Sequence, residues 1–148
     1  MTGVAGVGGQ AFVILVDTSV WVEVFRRPPR VRLESEVDLD EVVTALPIIQ
    51  EVLQGFRDEA AFRTAREAML ALPVVESPLP RDRFLEAAEL YRAARRAGQT
   101  VRSATDCLIA ACALRRQLLV LHFDRDYDLL SRVSPLRSRR IRLRATKA

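Results

Sequence analysis

Two short apolar runs constrain the fold of this chain more than any other feature of its sequence. They are FVILV at residues 12–16 and LLVL at residues 118–121, and neither run contains a polar position. A strand with apolar residues on both faces is typical of the centre of a parallel sheet, where helices cover both sides. The sequence therefore predicts an α/β fold with a central parallel sheet.

Residue spacing and helix-terminating residues predict how helices and strands alternate along the chain. Thr18 or Ser19 is expected to cap a helix that begins near Val20. Further helices are predicted over residues 47–55, 58–71, 82–98 and 104–116, and further strands at residues 41–44, 74–75 and 141–143. This alternation is the pattern of a parallel sheet with helices on both faces.

Length and composition indicate one folded domain. A chain of 148 residues with 49% hydrophobic and 28% charged residues has the size and balance of an ordinary globular domain. We expect residues 1–11, which are rich in glycine, to form a flexible tail and residues 12–148 to form a single domain. No apolar run approaches the ~18 residues of a membrane span, and no positive charge precedes the first apolar run as in a signal peptide. These features predict a cytoplasmic protein without membrane contact.

Residues that are rare in this chain exclude several kinds of active site. His122 is the only histidine, so mechanisms that need two histidines are excluded. The sequence also contains neither a G-x-S-x-G nucleophile turn nor a P-loop lysine motif. Cys107 and Cys112 lack the spacing of a zinc site or of a redox motif, and we expect both to be small buried core residues.

Two aspartates follow the two apolar strands. Asp17 comes directly after FVILV, and Asp124 comes shortly after LLVL. Ligands of open parallel sheets bind beyond the carboxyl ends of the strands, so both acids are candidate site residues. A single aspartate at such a position is more often a plain helix cap, and that alternative stays open for each of them.

Two further acids lie next to apolar residues. Glu51 lies at the border of the apolar face of one predicted helix, and Asp106 opens another helix with little other polar surface. The alternatives are an exposed position for Glu51 and a favourable helix-dipole position for Asp106. Four carboxylates brought together would repel one another, and a divalent cation relieves that repulsion. Mg²⁺ prefers oxygen ligands and bridges to phosphates, so the four acids predict a metal site for phosphate chemistry.

Four segments of the chain resemble, in order, the motifs of PIN-domain nucleases, and those of VapC-type toxins in particular. They are ILVDTSVW, PIIQEVLQG, TDCLIAACAL and HFDRDYDLL, which begin at residues 14, 47, 105 and 122. The resemblance covers about residues 12–130. It implies a three-layer α/β/α PIN-like fold with a central parallel sheet.

The same resemblance implies which residues form the site. The catalytic residues it implies are Asp17, Glu51, Asp106 and Asp124. Three of these, Asp17, Asp106 and Asp124, would hold Mg²⁺, with Mn²⁺ as a substitute. Ser19 would orient Asp17, and Asp126 would be an auxiliary acid.

The resemblance also implies a function and partners. It implies a metal-dependent endoribonuclease that cleaves RNA phosphodiesters with a metal-activated water and acts as the toxin of a type II toxin–antitoxin pair. The implied partners are RNA, a cognate VapB-type antitoxin that covers the active site, and a second copy in a homodimer. Two positions depart from the usual residues of the family. His122 stands where Thr or Ser is frequent and removes a small hydroxyl near Asp124, whereas Tyr127 stands where Phe is frequent and is interpreted as a mild aromatic exchange.

The net charge is +4, and arginines gather at residues 92–102 and 132–144. They form either a phosphate-binding surface or a solvated segment. One alternative function is a non-catalytic PIN-like RNA-binding module. The other is a Mg²⁺ phosphatase of the haloacid-dehalogenase type, which would need an aspartate two residues after Asp17, where Ser19 stands.

Overall fold

The structure is a computed structural model that describes residues 13–143. The described strands are β1 (Ile14–Val16), β2 (Val42–Ala45), β3 (Val74–Val75), β4 (Leu119–His122) and β5 (Arg137–Arg140). The described α-helices are α1 (Thr18–Phe25), α2 (Leu46–Gln54), α3 (Glu59–Leu70), α4 (Arg81–Arg96), α5 (Ala104–Arg116) and α6 (Arg125–Val133). Two 3-10 helices, Leu33–Ser35 and Leu39–Glu41, lie between α1 and β2. The predicted tail at residues 1–11 lies outside the described residues, and a single domain over residues 12–148 stays a prediction.

The five strands form one parallel sheet in the order β3-β2-β1-β4-β5. Strand β1 lies at its centre and β4 lies beside it, with Leu15 opposite Val120 and Val16 opposite Leu121. All four side chains are fully buried, and burying a side chain of this size contributes roughly 1.5–3 kcal/mol. The parallel sheet predicted from the two apolar runs is confirmed.

The six helices cover the two faces of the sheet. Helices α1, α2 and α3 contact one another in sequence, and α4, α5 and α6 form a second contacting group. The chain moves from β1 through β2 to β3 on one side of the sheet, then returns past β1 to β4 and β5. Right-handed crossovers in opposite directions place the two groups of helices on opposite faces, which gives the three-layer α/β/α arrangement.

This strand order creates a crevice between β1 and β4. The chain leaves β1 towards β2 on one side and leaves β4 towards β5 on the other side. The helices that follow the two strands therefore diverge, and the carboxyl ends of β1 and β4 lie next to each other without a helix between them. Residues that directly follow these two strands are positioned to form a shared site.

The predicted position of the last strand is wrong. The apolar residues at positions 141–143 predict a strand there, but β5 consists of Arg137–Arg140. Strand β5 is the edge of the sheet and pairs with β4 alone, so its side chains do not need to be apolar, and charged edge residues oppose pairing with other chains. Ile141 follows the strand and buries its side chain in the core instead.

Helix α6 is not predicted by the sequence patterns. Its first turn is rich in charged residues, and its buried side is marked by only a few apolar positions, among them Tyr127, Leu129 and Leu130. Cys107 and Cys112 are free and buried, which confirms the prediction of core residues. Within residues 13–143, every helix is too short or too polar to cross a lipid bilayer.

Candidate metal centre

Asp17 joins the central strand to the first helix. Its backbone N–H donates to the carbonyl of Leu121 in β4 at 2.9 Å, which ties the ends of the two strands together. Its Oδ2 accepts from the backbone N–H of Ser19 at 2.9 Å and from the Ser19 hydroxyl at 2.6 Å. Asp17 itself is therefore the cap of α1, and the prediction of Thr18 or Ser19 as the cap is wrong. A capping side chain lies at the amino end of its helix. Asp17 therefore caps α1 and also lies at the position predicted for the site.

Ser19 connects both sides of the crevice. Besides donating to Asp17, its Oγ accepts from the backbone N–H of Phe123, the residue after β4, at 2.9 Å. The backbone N–H of Phe123 thus orients the Ser19 hydroxyl, and the hydroxyl in turn orients the Asp17 carboxylate. This geometry is the one expected of a residue that fixes the Asp17 carboxylate.

Asp106 lies in the first turn of α5, whose cap is Ser103. The carboxyl group is only 5% exposed, and its Oδ2 has no hydrogen-bond partner within residues 13–143. Burial raises the pKa of Asp106 to about 9, with further contributions from the charge of Asp17, a hydrogen bond with Asp126 and the charge of Asp124. Asp106 is therefore a carboxyl group that lacks a positive partner in the protein itself.

Asp124 and Asp126 begin α6 beside Asp106. Asp124 caps the helix by accepting from the backbone N–H of Asp126 at 2.9 Å. Carboxylate oxygens of Asp106, Asp124 and Asp126 all lie within 4.8 Å of one another. This compact trio includes Asp126, the acid expected to be auxiliary, whereas Asp17 is linked to Asp106 through another side chain, described below.

Asp126 is held by the connection between α4 and α5. It is 1% exposed, and its two oxygens accept from the backbone N–H groups of Arg102 and Ser103 at 3.0–3.2 Å. These donors occupy both of its oxygens with hydrogen bonds. Asp126 therefore fixes the loop before α5 against α6, which sets the position of Asp106 relative to Asp124.

Glu51 approaches the same crevice from α2. It is half-buried, and its Oε1 accepts from the hydroxyl of Thr18 at 2.9 Å. Burial raises the pKa of Glu51, and the charges of Asp17 and Asp124 raise it further, while the Thr18 bond acts in the opposite direction. All four predicted acids thus belong to one electrostatically coupled group at the carboxyl edge of the sheet.

Tyr127 is a site residue that the sequence interpretation missed. Its hydroxyl lies 2.6 Å from Oδ1 of Asp17 and 3.3 Å from Oδ1 of Asp106. The exchange of Phe for Tyr is therefore not mild, because it adds a polar group between two of the acids. A signal was present in the spacing, since position 127 lies one helical turn after Asp124 on a helix that begins at the site.

His122 replaces the expected small hydroxyl with a buried ring. Its Nδ1 accepts from the backbone N–H of Asp124 at 3.2 Å, and its ring centroid lies 5.1 Å from that of Tyr127. Burial lowers the pKa of His122, so the ring is neutral and carries its proton on Nε2. The backbone of Asp124 is therefore held by the imidazole.

The acidic cluster fits a divalent cation. A buried oxygen without a donor, such as Oδ2 of Asp106, costs about 1–3 kcal/mol, more when charged, and a cation beside it removes that cost. Every candidate donor is a carboxylate oxygen, a hard ligand of the kind that Mg²⁺ and Mn²⁺ prefer over softer metals. The donor set therefore matches the expected metal class.

The C-terminal arginines are partly engaged within the fold. Arg139 pairs with Glu36 at 3.3 Å, and Arg140 pairs with Asp128 at 2.9 Å while lying over the ring of Phe123. In contrast, Arg102 and Arg125 are exposed beside Asp126 and Asp124, and within residues 13–143 neither side chain forms an ion pair. The exposed pair lies closer in the chain to the acids than the β5 arginines do.

Comparison with known proteins gives matches over most of the chain. The model of the PIN domain family matches residues 14–133. VapC ribonuclease Mb1587 of Mycobacterium bovis and ribonuclease VapC11 of Mycobacterium tuberculosis are each 40% identical over 131 residues, which covers 84% of this chain and 96% of theirs. Ribonuclease VapC51 of Mycobacterium tuberculosis is 31% identical over 120 residues, or 81% of this chain and 86% of that protein.

Solved structures show the same fold at low sequence identity. VapBC2 from Rickettsia felis, bound to a DNA fragment from its promoter, matches with a TM-score of 0.70 and 13% identity over 87% of this chain and 98% of the other. VapBC-5 from Mycobacterium tuberculosis matches with a TM-score of 0.66 and 23% identity over 87% and 99% of the two chains. At these identities the structural likeness concerns the fold alone.

Proposed function

Because the chain belongs to the PIN domain family, we propose that it is a metal-dependent endoribonuclease and the toxin of a type II toxin–antitoxin pair. One observation carries the proposal. In a chain that covers 96% of ribonucleases to which it is 40% identical, Asp106 lies within 4.8 Å of Asp124 and shares the hydroxyl of Tyr127 with Asp17.

We propose that Asp17, Asp106 and Asp124 hold the cation and that Mg²⁺ is the cation used. The unpartnered oxygen of Asp106 and its closeness to Asp124 support this assignment. Asp126 is placed among the acids that position the site, because three hydrogen bonds from backbone N–H groups already occupy its oxygens. A divalent cation at this position supplies polarisation of a phosphoryl oxygen and a coordinated water of lowered pKa.

Glu51 is assigned the role of proton acceptor. It is less buried than Asp17 and Asp106, and its raised pKa makes it a stronger base than an ordinary carboxylate. The hydroxyl of Thr18 fixes one of its oxygens, so the other is oriented by that bond. Ser19 and Asp126 orient Asp17 and the loop before α5, which keeps the acids in place while substrate binds.

RNA is the proposed substrate, and Arg102 and Arg125 are the proposed phosphate contacts. Both are exposed and flank the acids, so they attract the phosphates that adjoin the one being cleaved. An enzyme that acts on cellular RNA works in the cytoplasm, which is the location we propose. The alternative of a non-catalytic RNA-binding module would use the same arginines without the acids.

The proposed partners are a VapB-type antitoxin and a second copy of the chain. The matched structures from Rickettsia felis and Mycobacterium tuberculosis are of VapBC assemblies, which supports an antitoxin for a chain of this fold. The acidic crevice at the carboxyl edge of the sheet is the site that such an antitoxin would have to cover to suppress cleavage.

Cleavage of RNA with a defined end chemistry tests the proposal. The purified protein is expected to cleave RNA with Mg²⁺ or Mn²⁺, to stop in excess chelator, and to leave 5′-phosphate and 3′-hydroxyl ends. Asp17→Asn should lower cleavage by about 100-fold or more, because the metal supplies several kcal/mol of transition-state stabilisation. Asp40→Asn is the matched control, since Asp40 is exposed and precedes the amino end of β2, at the opposite edge of the sheet.

Two results would contradict this proposal. Products with 2′,3′-cyclic phosphate ends would show attack by the 2′-hydroxyl of the RNA instead of by water. Full cleavage by a folded Asp17→Asn protein would show that the acidic crevice is not the catalytic site, and the binding-module alternative would then lead.

A further inference from the structure

The hydroxyl of Tyr127 occupies a position between two carboxylates of the crevice. We propose that Tyr127 is a positioning residue whose hydroxyl locks the Asp17 carboxylate in the orientation needed for cation binding and separates it from Asp106. The inference rests on the proposed function of the acidic crevice and deepens it. It assigns a role to a residue that the sequence analysis interpreted only as a mild aromatic exchange.

The single proton of the Tyr127 hydroxyl determines which carboxylate accepts the hydrogen bond. A phenol has one proton to donate, and two carboxylate oxygens lie near it, at 2.6 Å on Asp17 and 3.3 Å on Asp106. The shorter distance identifies Asp17 as the acceptor, since charge-assisted O–H···O bonds are about 2.5–2.7 Å long. Burial and the two acids raise the pKa of Tyr127 well above its usual value, so the hydroxyl remains a donor.

This bond completes the fixation of Asp17. Ser19 holds Oδ2 through its N–H and its hydroxyl, and both donors belong to α1. Tyr127 holds Oδ1 from α6, which packs on the other face of the sheet. A carboxylate held at both oxygens from two elements cannot rotate about its last side-chain torsion. The remaining lone pairs of Asp17 therefore keep one direction before a cation arrives.

The ring of Tyr127 is itself held firmly. The residue is fully buried, and its ring lies against that of His122, whose Nδ1 in turn holds the backbone N–H of Asp124. His122 and Tyr127 are thus in contact, and together they fix one acid on each side of the crevice. A mobile tyrosine would not position a carboxylate, but a packed one does.

Removal of the hydroxyl would leave Asp17 and Asp106 poorly compensated. Oδ2 of Asp106 already lacks a partner within the described part of the chain, and a phenylalanine would also remove the donor at Oδ1 of Asp17. The two buried acids would then face each other without a dipole between them. We expect the two side chains to move apart, which opposes cation binding.

Tyr127→Phe tests the inference through metal binding, measured by calorimetric titration with Mn²⁺. The expected result is binding about 10–100-fold weaker than in the unchanged protein, the range seen when groups that orient metal ligands are removed. RNA cleavage should fall at limiting Mg²⁺ and recover in part at high Mg²⁺. Tyr91→Phe is the matched control, because Tyr91 is the other of the two tyrosines in the sequence. It lies on α4, where the guanidinium of Arg95 lies over its ring.

Fluorine NMR keeps the inference testable if Tyr127→Phe fails to fold. In a Tyr91→Phe protein labelled with fluorotyrosine, residue 127 is the only tyrosine and gives a single resonance. Addition of Mg²⁺ should shift this resonance, because the cation changes the charge on the carboxylate that accepts its hydrogen bond. An unshifted resonance at saturating Mg²⁺ would overturn the inference.

The outcomes separate this inference from the proposed function. If the unchanged protein neither binds Mn²⁺ nor cleaves RNA, the proposed function fails. If the unchanged protein does both, and Tyr127→Phe binds Mn²⁺ equally well or more tightly, only the role of Tyr127 is overturned.

Discussion

Asp106 makes the stability of the metal-free protein depend on pH in an unusual direction. The unfolded chain releases the Asp106 proton near its ordinary pKa of 3.8, whereas the folded protein holds it up to a pKa of about 9. The protonated form therefore favours folding. Its contribution is fully present below the unfolded pKa and is lost as the pH rises towards the folded pKa. Asp106→Asn, which is always neutral and of similar size, should abolish this dependence.

The pH dependence caused by Asp106 is easiest to measure where few other groups titrate. One proton bound only by the folded state gives a slope of about 1.4 kcal/mol per pH unit, so stability should fall by about 2 kcal/mol between about pH 7 and about pH 8.5. Burial lowers the pKa of His122, so it is neutral in this window in the folded state and nearly so in the unfolded chain. Burial raises the pKa of both cysteines in the folded protein from 9.0 to about 11. Their unfolded thiols begin to lose protons only at the top of the window, so the cysteines add a small loss of stability that Asp106→Asn shares.

Urea unfolding in excess chelator, followed by circular dichroism, measures the effect. The unchanged protein should lose stability across the window, and Asp106→Asn should show a nearly flat profile. Asp40→Asn, the exposed control, should follow the unchanged protein. Mg²⁺ should stabilise the unchanged protein more at the higher pH, where a larger fraction of Asp106 has already lost its proton, and should have little effect on Asp106→Asn. Equal slopes in the unchanged protein and in Asp106→Asn would refute the reasoning.

Two further predictions concern the proposed roles of Glu51 and Arg102. Glu51→Gln should lower the rate of cleavage at saturating Mg²⁺ by about 10²–10⁴-fold and change the pH profile of that rate. The Mn²⁺ affinity, measured by calorimetry, should stay within about 3-fold. A large loss of affinity would instead identify Glu51 as a metal ligand. Arg102→Ala should weaken RNA binding and reduce its dependence on log salt concentration by about one unit in a fluorescence anisotropy assay. Arg140→Ala should have a smaller effect, since Arg140 is already paired with Asp128, and the reverse ranking would contradict the assignment.

The parts of the fold that sequence predicts are those set by local pattern. Asp17 and Asp124 were assigned to one edge because each follows a strand that is apolar on both faces, and parallel strands end at the same edge. Strand β5 has no such pattern, because an edge strand is held by backbone pairing with β4 and tolerates arginine. Its position depends on a partner elsewhere in the chain.

The parts of the site that sequence does not predict depend on long-range contacts. The bond from Tyr127 to Asp17 spans 110 positions, and the bonds from Arg102 and Ser103 to Asp126 span 24 and 23 positions. In the sequence, Tyr127 is interpreted as an aromatic exchange and Asp126 as an additional acid. Their contacts form only when the helices pack together. The motif order located the acids, whereas the groups that orient them became visible only in three dimensions.

The hydrogen bond between Ser19 and Phe123 has a consequence for synthesis of the protein, because it joins an early segment of the chain to a late one. These residues lie 104 positions apart, yet their bond joins the two sides of the crevice. On the ribosome, a nascent chain that ends before β4 has Asp17 but not the strand beside it. It cannot assemble the acids, and it leaves one side of β1 unpaired. We therefore expect nuclease activity only from chains that include β4, and none from shorter translation products.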